Sequence, residues 1–285
     1  MTRVGVVTVA HGRHAHLRAQ RQSLARSTRP PDEHVLVAVE DPVLERDDAD
    51  VSLPATADGL PIAAARNLGA EVALGRGADV LVFLDVDCLA GPRLLEAYAD
   101  VVRTTPDTVW SGPVTYLDPP AHAGYDLSRL DELDPPHPAP PAPRPGEAHH
   151  QQDPALFWSL SFACSAEAWR RTGGFCERYV GYGGEDTDFG HLAVSAGLGL
   201  GWVDAARAYH QWHPVSHPPV EHVVDIVRNA ALFRERWGRT PMLGWLEAFE
   251  ERGLVVRRGE DFVLPDAAPA PAPPPVGAVP LPAMP

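Results

Sequence analysis

The rhythm of hydrophobic and polar positions changes several times along the chain, and each rhythm predicts an element. Two short runs rich in β-branched residues, Arg3 to Ala10 (RVGVVTVA) and Glu33 to Glu40 (EHVLVAVE), predict strands. An arginine-rich stretch from Leu17 to Ser27 lies between them with helical spacing. From Pro61, alanine and leucine recur at helical spacing behind a proline suited to a first turn, and the pattern ends at glycines. The next run, ADVLVFLDVD, is continuously apolar, as a buried strand is, and stops at Asp85. Farther on, a helix is expected over LLEAYADVVRTT and a strand over TVWSGPVTYL. ALFWSLSFACSAEAWRRTGGF predicts a strand followed by a helix, DTDFGHLAVSAG a helix, and LGWVDAARAYHQWH a strand. EHVVDIVRNAALFRERWG predicts an amphipathic helix.

Strands that alternate with helices imply an α/β fold with a mainly parallel central sheet flanked by helices, whose ligands bind beyond the carboxyl ends of the strands. The acids that finish these strands are therefore the candidate chemistry. One domain is expected over residues 1–264. Within it, 118–150 holds nine of the 31 prolines and reads as a long mobile loop. The segment 265–285, rich in proline and alanine, reads as a disordered tail.

Composition narrows the function. The formal net charge of -14 would repel a phosphate backbone, so nucleic acid is not an expected partner. No apolar run approaches the roughly 20 residues of a membrane helix. The first residues lack a signal layout, so the cytoplasm is the expected compartment. Three cysteines without close pairing, Cys88, Cys164 and Cys176, indicate neither a disulfide framework nor a cysteine-rich zinc site. All 24 basic residues are arginine, which excludes lysine Schiff bases and a lysine-bearing phosphate loop.

In FLDVDC the strand period of two puts Asp85 and Asp87 on one side with Val86 on the other, so the two carboxylates can share one divalent cation. Mg²⁺ and Mn²⁺ take hard oxygen ligands and complete their shells with substrate phosphates. Glu40 and Asp41 form another acidic strand end. Here the sequence resembles the family 2 glycosyltransferases and their GT-A fold. The resemblance implies a nucleotide-sugar site built from Asp41 at the nucleobase or ribose, Asp85, Val86 and Asp87 at metal and diphosphate, and Arg66-Asn67 of AAARNLGA beside them. Glu40 belongs to the same strand end. That family usually has a proline-containing loop after its first strand. This chain has TVAHGRHAH instead, with Thr8, Ala10 and Arg13 in the corresponding places. His11, His14 and His16 read as a solvated loop. Arg66 reads equally as a helix-surface arginine.

GGFCERYVGYGGEDTDFGHL resembles the carboxyl-terminal catalytic segment of β-1,4-galactosyltransferases, chondroitin-polymerising transferases and polypeptide N-acetylgalactosaminyltransferases. The resemblance makes Asp186 the general base and gives Glu185 the hydroxyls of donor or acceptor, with Gly184 letting the backbone approach the sugar. Asp188 reads either as a helix brace or as a ligand contact. By the same resemblance the remaining metal ligand is His210 of AYHQ, with His213 in reserve. His217 and His222 read as loop and helix surface. Of the large aromatics, Trp110 and Trp212 are candidates for stacking, while Trp158 and Trp202 read as core.

The expected function is a metal-dependent, inverting transfer of sugar from a nucleotide-diphosphate donor, most simply a UDP-sugar, to a hydroxyl acceptor, with Mn²⁺ or Mg²⁺ as cofactor. Two readings compete: a non-catalytic carbohydrate- or nucleotide-binding module on the same fold, and a sugar-nucleotide nucleotidyltransferase. Sequence leaves open the sugar, the acceptor and the oligomeric state.

Overall fold

The computed structural model describes residues 2–120, 124–132, 147–151 and 153–265. Its first half is a repeated strand and helix: β1 (Val4–Ala10), α1 (His14–Ala25), β2 (Glu33–Val39), α2 (Pro42–Asp47), β3 (Val51–Leu53), α3 (Ile62–Gly75), β4 (Val80–Leu84), β5 (Cys88–Ala90) and α4 (Leu94–Thr104). The second half comprises β6 (Thr108–Ser111), β7 (Val114–Tyr116), β8 (Ala148–Gln151), β9 (Ser161–Ser165), α5 (Ala166–Thr172), α6 (Glu185–Ser195), β10 (Gly199–Val203) and β11 (Ala208–His210). α7 (Val223–Trp237), α8 (Leu243–Glu251), β12 (Val256–Arg258) and β13 (Asp261–Val263) close the described chain.

Eight strands form one sheet in the order β3-β2-β1-β4-β9-β6-β10-β8. β9 and β8 run antiparallel to their neighbours and the other pairings are parallel, so the sheet is mostly parallel, as the alternation of elements predicts. β4 shows why its sequence is continuously apolar. Val80, Val82 and Leu84 enter the core on the side of α4, while Leu81 and Phe83 enter the core on the side of α3 and α6. Both faces are covered, so neither set of alternate positions is free to be polar.

Two expected strands are each divided. TVWSGPVTYL breaks at Gly112-Pro113: β6 stays in the large sheet, whereas β7 joins a second sheet of order β5-β11-β7. Gly112 is required at the break, because a Cβ there would lie 1.8 Å from the Ala206 carbonyl oxygen. LGWVDAARAYHQWH divides likewise into β10 of the large sheet and β11 of the small one. A pattern of apolar positions records burial and not which sheet supplies it. The expected mobile loop also needs correction at its end, since Ala148–Gln151 is a strand paired antiparallel with β10. The remainder of that loop at 121–123 and 133–146, and the expected tail from 266, lie outside the described residues. No helix among the described residues is long and apolar enough to cross a membrane.

Candidate active site

The parallel strands β1, β2 and β4 end on one edge of the sheet, and the ends of β2 and β4 run into the acids Glu40, Asp41, Asp85 and Asp87. Past β4 the chain turns tightly. Asp85 Oδ1 accepts from the Asp87 amide at 3.1 Å, and the Cys88 amide donates to the Asp85 carbonyl at 2.8 Å. The turn is held from below by Gln20 of α1. This fully buried side chain donates to the carbonyls of Asp85 at 2.6 Å and Cys88 at 3.0 Å. Val86 points away into a core with Ala10, Leu17, Leu36, Ala38 and Leu44, so that only its backbone borders the site.

Cys88 pairs with His210 across β5 and β11, which brings the histidine beside the acid that precedes Cys88. Donor atoms of Asp87, His210 and His213 lie within 4.8 Å of one another. One carboxylate and two imidazoles are a donor set that Mn²⁺ accommodates, and the residues present fit a divalent cation. Burial would raise the pKa of Asp87, but hydrogen bonds from His213 and His16 and the charge of Arg13 outweigh it and hold it at about 2, so the group is an anion at neutral pH. Burial lowers His210 against the pull of Asp85 and Asp87, favouring the neutral imidazole that a metal needs. His213 is raised by its hydrogen bond to Asp87. The group among the described residues thus contains both the expected histidine and the reserve one, while Asp85 is outside it and caps the turn.

The second acidic set begins α6. Gly183 and Gly184 have φ of 90° and 93°, a left-handed backbone that side chains rarely adopt, and a Cβ on Gly184 would also meet the Tyr179 ring at 3.1 Å. The turn delivers Glu185, Asp186 and Asp188 to the first helical turn, where the helix dipole favours negative charge. Arg66 of α3 lies over the Phe175 ring, 5.1 Å from its centroid, and reaches Glu185 Oε1 at 3.2 Å. Glu185 Oε2 is buried and has no hydrogen-bond partner among the described residues. Burial, and then repulsion by Glu185, raise the pKa of Asp186 to about 7. The Thr187 amide, donating at 2.7 Å, and Arg66 act in the opposite direction.

Asp188 is resolved as a brace. It is 0% exposed and accepts from Trp237 Nε1 at 2.6 Å, Arg236 Nε at 2.6 Å and Tyr179 Oη at 3.2 Å, which ties α6 to the end of α7. The aromatic core ties α6 to β4 as well: Phe83 stacks on Phe162 at 4.5 Å, and Phe162 meets Phe189 at 5.5 Å. The elements that carry the two acidic sets therefore share one core.

Several residues expected at the nucleotide serve the chain itself. Thr8 is 0% exposed, its hydroxyl within reach of Gln20 Oε1 at 3.0 Å and the Leu84 carbonyl at 3.2 Å. Ala10 is buried at the end of β1. Asn67 clasps the backbone of Phe175 from both sides, at 2.8 and 3.0 Å, and donates to Glu177. Asp41 Oδ1 accepts from the amides of Val43 and Leu44 at 3.1 Å, capping α2, and its Oδ2 accepts from Gly12 N at 2.9 Å and His14 Nε2 at 2.8 Å. Those four bonds use the about four acceptor positions of a carboxylate. They outweigh burial and lower its pKa. Glu40, at φ 47°, accepts from the Ala55 amide. Of the tryptophans, Trp110 and Trp202 are buried and Trp212 is exposed.

Sequence reasoning missed His16, Gln20 and Gln211. The Gln211 amide donates to the Asp87 carbonyl at 2.7 Å, and its side chain donates to the His16 carbonyl at 3.2 Å. It also missed the stack of Tyr182 on His222, 4.5 Å apart, beside Asp186. Only an amide at buried helical spacing marks Gln20. Nothing local marks the others.

Against known proteins, residues 148–214 match the family described as the N-terminal domain of galactosyltransferase. Validoxylamine A glucosyltransferase of Streptomyces hygroscopicus subsp. jinggangensis is 29% identical, over 69% of this chain and 49% of that protein. Chondroitin synthase of Escherichia coli is 25% identical, over 55% of this chain and 26% of that protein. The chain thus spans about half, or less, of the length of these relatives. Among solved structures, GalNAc-T7 with UDP, GalNAc and Mn²⁺ superposes with a TM-score of 0.55 at 15% identity, over 88% of this chain and 57% of that one. S. aureus TarS 1–349 in complex with UDP-GlcNAc gives a TM-score of 0.53 at 12% identity, over 88% and 78%. The fold is that of GT-A glycosyltransferases. The relatives named here are glycosyltransferases, in line with the resemblance that the sequence motifs carry.

Proposed function

We propose that the chain moves a sugar from a nucleoside-diphosphate donor, in the first place a UDP-sugar, to a hydroxyl acceptor with inversion, and that Asp186 takes the proton of the acceptor. The observation that carries this reading is geometric: past the strand ends the donor atoms of Asp87, His210 and His213 lie within 4.8 Å of one another, and the Gly183-Gly184 turn sets Glu185 and Asp186 at the start of α6. Tyr116 stacks on His210, with ring centroids 4.7 Å apart.

A hydroxyl is a poor nucleophile until a base takes its proton, and in an inverting transfer that base stands opposite the leaving diphosphate. Asp186 has a pKa near neutrality, which suits a base that must accept a proton and release it again. Glu185 offers Oε2, which has no partner among the described residues, to a sugar hydroxyl while Arg66 holds its other oxygen. Mn²⁺ or Mg²⁺ held by Asp87, His210 and His213 would offset the charge of the diphosphate. The UDP in the GalNAc-T7 structure and the UDP-GlcNAc in the TarS complex support uridine as the first base to try.

The test is release of UDP from UDP-glucose, UDP-galactose and their N-acetylamino counterparts, with Mn²⁺ and with EDTA, in parallel with thermal melting. Mn²⁺-dependent stabilisation by UDP together with UDP release from one donor is the expected result. Stabilisation without release would move the non-catalytic module forward, and neither effect would overturn the reading. Asp87→Ala should abolish the Mn²⁺-dependent part of the UDP stabilisation; retained stabilisation would remove Asp87 from the cation site.

The pH dependence has a definite sign. The working form of Asp186 is the anion, so the rate of transfer should rise with pH through about 7 and then level off, falling tenfold per unit on the acid side. A flat profile between pH 5.5 and 8 would exclude a base with this pKa.

A further inference from the structure

The segment AHGRHAH, which reads from sequence as a solvated loop, is anchored at every histidine. His11 Nδ1 meets the Val39 carbonyl at 2.8 Å, at the end of β2. His14 Nε2 meets Asp41 Oδ2 at 2.8 Å. His16 Nδ1 meets Asp87 Oδ1, and Arg13 Nε lies 3.3 Å from that same oxygen. The other oxygen of Asp87, Oδ2, faces His213 Nε2 at 3.4 Å. The two oxygens of this carboxylate are thus divided between α1 on one side and the histidines after β11 on the other.

We propose that His16, assisted by Arg13, is a positioning residue of the cation site: it fixes Asp87 Oδ1 from α1, so that Oδ2 alone is presented to a divalent cation shared with His210 and His213. This inference rests on the cation reading of the preceding subsection. A carboxylate swings about its last bond, and a ligand that swings must be ordered by the metal at a cost in affinity. Hydrogen bonds to the outer oxygen remove that freedom before the metal arrives, and loss of such a partner typically weakens metal binding by about 10–100-fold.

The surroundings support positioning over chance contact. His16 is itself held at its carbonyl by the side chain of Gln211, whose amide also holds the Asp87 carbonyl. α1 further carries Gln20, which organises the Asp85 to Cys88 turn. One helix therefore fixes both the turn that carries Asp87, through the Asp85 and Cys88 carbonyls, and the outer oxygen of Asp87. For the contact to be a hydrogen bond with an ionised acid, His16 carries its proton on Nδ1.

The experiment is a titration of the full chain with Mn²⁺ alone, following the free-ion signal by electron paramagnetic resonance, on the unsubstituted protein and on Asp87→Asn, His16→Ala, His16→Asn and Arg13→Gln. Melting in EDTA identifies the variants that keep the fold. The expected result is binding by the unsubstituted chain and its loss in Asp87→Asn. His16→Ala should be weaker by about 10–100-fold and Arg13→Gln by less. His16→Asn should recover most of the affinity, because its amide can donate from nearly the place of Nδ1. Equal affinity in His16→Ala and the unsubstituted chain overturns the proposal while leaving the cation site intact. Equal loss in His16→Ala and His16→Asn, with unchanged melting, also overturns it, since the imidazole would then be a ligand. If the unsubstituted chain binds no Mn²⁺, the cation reading fails and this inference falls with it. If His16→Ala does not fold, His16→Asn and Arg13→Gln decide: wild-type-like affinity in the first with a reduced one in the second supports the proposal, and any other pair overturns it.

Discussion

Asp186→Asn should bind UDP and Mn²⁺ as tightly as the unsubstituted chain and lose about 10²–10⁴-fold in the rate of transfer, the usual contribution of a positioned general base. The substitution preserves shape and the acceptor oxygen that the Thr187 amide uses at 2.7 Å. It removes the one property that the reaction would need there, a site for a proton. Neutralising the group also relieves its repulsion with Glu185, so the fold should melt no lower than before. Isothermal titration with UDP and Mn²⁺, set beside initial rates of UDP release, separates the two effects. Unchanged rates would take the base away from Asp186, and a parallel loss of donor affinity would make it a binding residue.

The second large effect is on stability. Asp188→Ala strands the Arg236 guanidinium, the Trp237 indole and the Tyr179 hydroxyl around a buried vacancy. Breaking a buried charge pair by removing one partner costs about 3–5 kcal/mol. For a chain of this size each kcal/mol lowers the melting temperature by about 2–4 °C, so a fall of about 6–20 °C is expected. Asp188→Asn should lose less, because its carbonyl can still accept from Trp237. A fall of under 2 °C for the alanine variant would mean that α7 does not depend on this anchor. Donor affinity measured well below the transition should survive, which distinguishes a brace from a ligand.

The opening acids of α6 show how far sequence reasoning reaches. Three carboxylates behind a glycine pair are an improbable arrangement unless each is used, and the sequence pattern located the cluster and the helix it begins. The division of labour within it was not legible. Asp188 acts through Arg236 and Trp237, 48 and 49 positions away, and no local pattern encodes contacts at that distance. The same holds for Asp41 and Asn67. Each sits where the family pattern puts a ligand residue, yet Asp41 bonds the amides of Gly12, Val43 and Leu44 and the His14 ring, and Asn67 bonds the Phe175 backbone and Glu177. Thr8, placed at the nucleotide by family correspondence alone, has its hydroxyl beside Gln20 and the Leu84 carbonyl, contacts that no local pattern encodes. The strand ends at Asp85 and Asp87 were legible because a buried strand must be apolar to its last residue, so the first acid marks the edge of the sheet. His16 was not, since a histidine in the first turn of a helix carries no pattern that betrays a partner in the turn after β4.

The cross-strand pairing of Cys88 with His210 governs how this chain can diverge. The span from Asp87 to His210 is set by a rung of the small sheet, and paired Cα atoms across such rungs stay about 4.5–5.5 Å apart whatever side chains they bear. Substitution can exchange the donor atoms but cannot widen the gap, and a slip of one residue would turn His210 to the opposite face. Insertions and deletions are therefore excluded from residues 88–90 and 208–210, and any drift in ion preference has to proceed by exchange of ligand type at fixed spacing.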